Sequence, residues 1–237
     1  MMNRLDPIQA SKAFVNEYFP DCNAAVLAGS ASRGEATPTS DLDIVVFDPG
    51  IKQSYRESLI KYDWPIEVFV HNLNSYVHFF EDDCKHGKPS MPHMVACGIV
   101  LKRSNELDQI RKEADLMLKK GPAPWSESTV ALKRYMITDL LDDLMGSNDR
   151  GEDIMITAEL SILLQEFMLR VNNRWIGSSK WMIRELKRFD PDYAEAFTEA
   201  FDQLYTSGDK AAVKKLVEES LQTHGGLLFE GFSIGKI

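Results

Sequence analysis

Positive charge is what this chain is short of. It has 27 lysines and arginines against 36 aspartates and glutamates, a formal net charge of −9. That balance disfavours broad attraction to DNA, RNA or an anionic membrane, so no extended nucleic-acid surface and no membrane partner are expected. Long apolar runs are missing as well. No stretch approaches the roughly 18 residues that suggest a membrane span, and the opening MMNRLDPIQA has no apolar core of the kind found in a secretion signal. Cysteine is scarce: Cys22, Cys84 and Cys97 are scattered, and no two have metal-ligand spacing. The expectation is a cytoplasmic protein without disulfides, its cysteines serving as small buried hydrophobes. Two common phosphate-binding signatures are also absent, since there is neither a Walker lysine nor GxGxxG spacing.

What is present suffices for a sizeable core. Of 237 residues, 44% are hydrophobic and 27% charged, which fits one globular domain or two small ones. Asp6 as a cap, Pro7 in the first turn and the stripe Ala10, Phe14, Val15, Tyr18 and Phe19 predict a first helix. Residues 23–28, 42–47 and 65–70 read as strands, and 53–61 as a helix between the last two. Residues 76–84, 91–102 and 106–119 read as helices. The run Gly121-Pro122-Ala123-Pro124 is the clearest break, and it divides a first domain, 1–120, from a second, 121–237. Beyond it, residues 127–145, 153–173, 180–189, 193–205 and 209–224 all read as helical. The fold class is therefore α+β, a domain with a small mixed sheet followed by an all-helical one.

The informative stretch is GSASRGEATPTSDLD, residues 29–43, which runs directly into the strand Ile44-Val45-Val46-Phe47. Strand side chains alternate, so Asp41 and Asp43 point to one side and Leu42 and Ile44 to the other. Two neighbouring carboxylates repel each other and call for a cation, and oxygen ligands of this kind suit a hard ion such as Mg²⁺. Glu67 is a third acid, set among apolar residues in Trp64-Pro65-Ile66-Glu67-Val68-Phe69-Val70, where a charge needs a reason. If its strand lies beside residues 42–47, Glu67 joins the aspartates. Three acids could then hold one or two ions, one serving the attacking oxygen and the other the leaving group. Gly29 and Ser30, at a strand-to-helix turn, would offer backbone N–H groups and a hydroxyl to a phosphate. Arg33 either touches that phosphate or pairs with Glu35, and Ser40 braces the loop.

The pattern Gly29-Ser30, Arg33-Gly34 and Ser40-Asp41-Leu42-Asp43-Ile44, with Glu67 as the last acid, resembles the signature of the nucleotidyltransferase superfamily typified by DNA polymerase beta. The likeness spans residues 23–70. It implies two Mg²⁺ ions held by Asp41, Asp43 and Glu67, which would be the catalytic set, and a nucleoside triphosphate donor, taken as ATP. Gly29, Ser30 and Arg33 would then be nucleotide contacts. A looser likeness over residues 125–205 is to the antibiotic-modifying nucleotidyltransferases of the kanamycin and streptomycin types. The run Asn172–Trp181 looks like their helix-end, glycine-turn, lysine region, which implies that Lys180 reaches the triphosphate; the bland reading of Lys180 is a surface lysine. Asp142, Glu159 and Glu166 are the candidate acceptor-binding carboxylates, able to receive ammonium groups or to form a solvated helix face. The expected partner is a small-molecule acceptor such as an aminoglycoside. Competing readings are a protein or RNA acceptor, or a non-catalytic nucleotide-binding module. The C-terminal run from Gly225 to Phe232 reads as a packed tail or as a contact within a homodimer.

Overall fold

A computed structural model of the chain describes residues 4–235. Two compact units, Met1–Gly121 and Pro122–Ile237, make up the chain. The first unit starts where the sequence sets a cap. The Asp6 carboxylate accepts hydrogen bonds from the backbone N–H groups of Ile8 and Gln9, at 3.0 and 3.2 Å, and helix α1 runs Pro7–Tyr18. Strand β1 (Ala24–Leu27), a single 3-10 turn (Ala31–Arg33) and strand β2 (Leu42–Phe47) follow. Next come β3 (Tyr55–Lys61), β4 (Trp64–His71), α2 (Tyr76–Lys85), α3 (Ser90–Cys97), β5 (Ile99–Lys102) and α4 (Asn105–Lys120).

The five strands form one mixed sheet in the order β3-β4-β2-β1-β5. Strands β2 and β4 are parallel, and the other neighbours are antiparallel. Alternation of side chains gives the sheet two packed faces. On one, α1 lays Phe14 and Val15 over Leu27, Leu42, Ile44, Ile66 and Val68. On the other, α2, α3 and α4 bring Phe80, Val95, Leu107 and Ile110 against Ala24, Val26, Val45 and Phe47. Asp43 belongs to the second row, two residues ahead of Val45.

Two elements differ from expectation. Residues 53–61 do not form a helix: Tyr55–Lys61 is an edge strand that pairs antiparallel with β4, up to Lys61 opposite Trp64. The hairpin turns on Tyr62 and Asp63, both with positive φ, at 54° and 59°. A two-residue turn of that kind is normally announced by Asn-Gly or Asp-Gly, and Tyr-Asp announces nothing. The expected helix over 91–102 stops at Cys97, because Ile99–Lys102 is taken up as a strand by β1, with Val26 opposite Val100 and Leu27 opposite Ile99. The cysteines also differ from one another: Cys22 is buried as expected, Cys84 is half-buried and Cys97 is exposed.

The second unit contains α5 (Glu127–Gly146), α6 (Arg150–Val171), α7 (Lys180–Phe189), α8 (Pro191–Ser207) and α9 (Ala211–Gln222). Ser126, Asp149 and Asp190 cap α5, α6 and α8 through side-chain oxygens that accept from the first-turn N–H groups. Their apolar stripes meet in a core that includes Leu141, Leu160, Leu164, Phe167, Leu204 and Val217. The chain beyond α9 packs back on α5. The Arg134 guanidinium donates to the carbonyls of Gly226 and Gly225, at 2.9 and 2.6 Å, Leu228 N–H donates to Thr138 Oγ1 at 2.9 Å, and Tyr135 stacks on Phe232 at 4.2 Å. No helix among the described residues is long and apolar enough to cross a membrane.

Candidate active site

Parallel pairing of β2 with β4 sets Asp43 directly opposite Glu67. Asp41, two residues earlier, stands on the same side at the mouth of β2. One carboxylate oxygen from each of Asp41, Asp43 and Glu67 lies within 4.8 Å of the others. Asp41 is exposed, while Asp43 and Glu67 are half-buried. Among the described residues this is the one group of three or more such side chains that converges. The donors are all anionic oxygens, the set that suits a hard divalent cation.

The loop after β1 is shaped around Asp43. Ala28 N–H donates to the Asp43 carbonyl at 2.7 Å. Gly29 has φ +69°, and a Cβ built there would fall 2.0 Å from Asp43 Oδ2. Only glycine lets the backbone pass so close to that carboxylate. The remainder of the loop is held by its own polar groups. Ser30 Oγ donates to Ser40 Oγ at 3.2 Å, and Ser40 Oγ accepts from Thr37 N–H at 2.8 Å. Ser40 is therefore a brace. The Arg33 guanidinium donates to the Gly29 carbonyl at 2.7 Å and to Glu35 Oε2 at 3.1 Å, so in this structure it makes the Glu35 pairing. The expected strand-to-helix turn is only one 3-10 turn, closed by Gly34 in the left-handed region. Three residues align too few peptide dipoles to act as a helix terminus, so what this loop offers an anion is individual N–H and hydroxyl groups.

Glu67 has partners that sequence reasoning missed. Arg56 of β3 forms an ion pair with Glu67 Oε1, and Ser58 Oγ donates to the same oxygen at 3.3 Å. The alternation of Tyr55-Arg56-Glu57-Ser58-Leu59 was the available signal. Read as a strand, it places Arg56 and Ser58 on one face.

The other candidates belong to the second unit. Lys180 is exposed in the first turn of α7, after Ser179 at φ 52°. Arg184 and Arg188 of the same helix lie 5.0 and 5.4 Å from the Trp181 ring centroid. Asp142 on α5 and Glu159 on α6 are exposed. Glu166 is not a free carboxylate, because Lys133 Nζ donates to its Oε2 at 2.6 Å. Asp142, Glu159 and Glu166 do not converge as the first-unit acids do.

Residues 9–85, from α1 to the end of α2, match the family model described as a nucleotidyltransferase domain. Gly29, Ser30, Asp41, Asp43 and Glu67 all fall inside that span. No curated protein matches the chain significantly. Among solved structures it is similar to a nucleotidyltransferase-like protein from Exiguobacterium sibiricum 255-15, at 13% identity and a TM-score of 0.45, over 91% of this chain and 74% of that one. Residues 9–85 are a nucleotidyltransferase domain, and the protein that carries it is an enzyme of the transferase class.

Proposed function

We propose that this protein is a Mg²⁺-dependent nucleotidyltransferase that transfers AMP from ATP to a hydroxyl of a small acceptor such as an aminoglycoside, releasing pyrophosphate. The observation that carries the reading is the convergence of Asp41, Asp43 and Glu67 within 4.8 Å, beside a loop that only glycine can bring so close. Three carboxylates gathered at a strand mouth repel one another, and that cost is reasonable where a cation and a phosphate are to be bound together. Mg²⁺ held by the three acids would supply positive charge to the phosphate oxygens.

The chain's own groups have separate tasks. Gly29 leaves room beside Asp43, and the Ser30 hydroxyl and the loop N–H groups hold phosphate oxygens. Arg33 keeps the Gly29 carbonyl fixed, so that its effect on phosphate is through loop shape as well as charge. Lys180 is assigned as a further nucleotide contact. A net charge of −9 favours a cationic acceptor, for which the exposed Asp142 and Glu159 are the assigned carboxylates. Glu166 is the weakest of the three, since Lys133 already neutralises it.

The test is pyrophosphate release with each of the four nucleoside triphosphates and Mg²⁺, with and without a panel of aminoglycosides and lincosamides. The doubly substituted Asp41→Ala, Asp43→Ala protein is the control. Acceptor-dependent release that the control lacks is expected, with ATP the best donor. Release driven only by a protein or RNA acceptor would refute the small-molecule assignment. Nucleotide binding with no release under any condition would refute the enzymatic one.

A further inference from the structure

The pairing of β3 with β4 puts Ser58 directly opposite Glu67 and Arg56 opposite Phe69, so Arg56 is the diagonal neighbour of Glu67 on the same sheet face. Its guanidinium carbon lies 5.0 Å from the centroid of the Phe69 ring, and Phe69 is itself packed against the core beneath α2–α4. The ring is a fixed platform that restricts an otherwise exposed arginine. From it, Arg56 pairs with Glu67 Oε1, the oxygen that Ser58 also contacts. Both contacts go to one oxygen, and Oε2 has no hydrogen-bond partner among the described residues.

We propose that Arg56 is a positioning residue for the metal seat. Together with Ser58 it clamps Oε1 of Glu67 and so presents Oε2 towards the oxygens of Asp41 and Asp43. The inference rests on the reading of those three acids as cation ligands. A ligating carboxylate has two oxygens, and fixing one with a charge-assisted donor removes the rotation that would otherwise be lost on binding an ion. The partner on the outer oxygen commonly changes metal affinity by about 10- to 100-fold. This strand has an architectural role as the sheet edge, and the proposal gives it a chemical one.

The test is a titration of the full chain with Mn²⁺, following the free-ion signal by electron paramagnetic resonance, in wild type and in the variants Arg56→Gln, Arg56→Lys, Glu67→Gln and Arg56→Gln/Glu67→Gln. Thermal unfolding is run beside each to check that the sheet is intact. The expected result is a roughly tenfold loss of affinity in Arg56→Gln and partial recovery in Arg56→Lys. In the Glu67→Gln background, Arg56→Gln should have no further effect, because the clamp then has nothing to orient. Equal or tighter Mn²⁺ binding by Arg56→Gln, with Glu67→Gln still weakened, would overturn the clamp and leave the metal seat standing. An equal loss from Arg56→Gln in both backgrounds would overturn it too, since that is the mark of a general structural effect. A wild type whose Mn²⁺ binding is absent or indifferent to Glu67→Gln would overturn the metal seat and the clamp together.

Discussion

The second face of the first unit has two opposite ends. Along β2 and β4 the row runs Asp43 opposite Glu67, then Val45 opposite Phe69, then Phe47 opposite His71. At the inner end, Phe47 is fully buried and His71 nearly so, with Phe79 and Tyr76 against them. At the outer end, side chains of the same strands in the same register are half-exposed carboxylates. One geometry thus makes a dry core at one end and an anionic cluster at the other. Burial is set by which helices reach the row, and chemistry by what the row carries where they stop.

Changes at the two ends should therefore fail differently. The largest effect belongs to the dry end. Phe47→Ala should cost about 3–5 kcal/mol of stability through the cavity it leaves, measured by urea unfolding.

His71 should make that end pH-sensitive. Burial lowers its pKa from 6.5 to about 4, and its Nδ1 has no hydrogen-bond partner among the described residues. Between those two values the unfolded chain binds the proton and the folded chain does not, so stability is lost as pH falls from about 6.5 towards 4. The loss should reach roughly 3 kcal/mol. In His71→Phe the difference in unfolding free energy between pH 7 and pH 4 should shrink by that amount; an unchanged difference would assign the pH dependence to other groups.

At the anionic end the readout should be activity. Gly29→Ala sets a Cβ on Asp43 Oδ2 and, on the proposed function, should lower Mg²⁺-dependent turnover at least about 100-fold, as Asp43→Asn should, because each would disturb a proposed ligand directly. Gly34→Ala is the matched comparison and the smallest effect. Its φ is +72° but nothing lies within 4 Å of the new methyl. It should cost about 1–2 kcal/mol of backbone strain and leave turnover within a few-fold. Equal losses of turnover at both glycines would mean that loop conformation, and not the space beside Asp43, is what Gly29 provides.

The two units also differ in how much of them was legible. In the helical unit, Ser126, Asp149 and Asp190 cap α5, α6 and α8, a strong 3.6-period marks α7, and residues 180–189 are read as the structure has them. In the sheet unit, α1, β2 and β4 are legible for similar reasons: a cap with proline, an apolar run, and a buried strand. β3 was not, since an edge strand with most residues exposed has no strong apolar period, and its turn lacks the usual residues. β5 was hidden because four apolar residues after a helix look like more helix until a strand partner claims them. The missed hairpin is also why Arg56 and Ser58 were missed.

By itself the sequence determined the local chemistry. Asp41 and Asp43 are two apart at the mouth of a strand and so share a side, Gly29 follows β1, and the charge balance is acidic. These follow from side-chain period, residue type and composition, which need no partner strand. The tertiary structure alone decided what lies across from what. Parallel pairing of β2 with β4 brings Glu67 to Asp43, the β3 hairpin brings Arg56 to Glu67, and packing draws Gly29 against Asp43. Lys133 likewise takes Glu166 out of the set of free acids. Each of these contacts joins residues made neighbours by hydrogen-bond register or helix packing, and those depend on the whole chain burying its apolar surface at once.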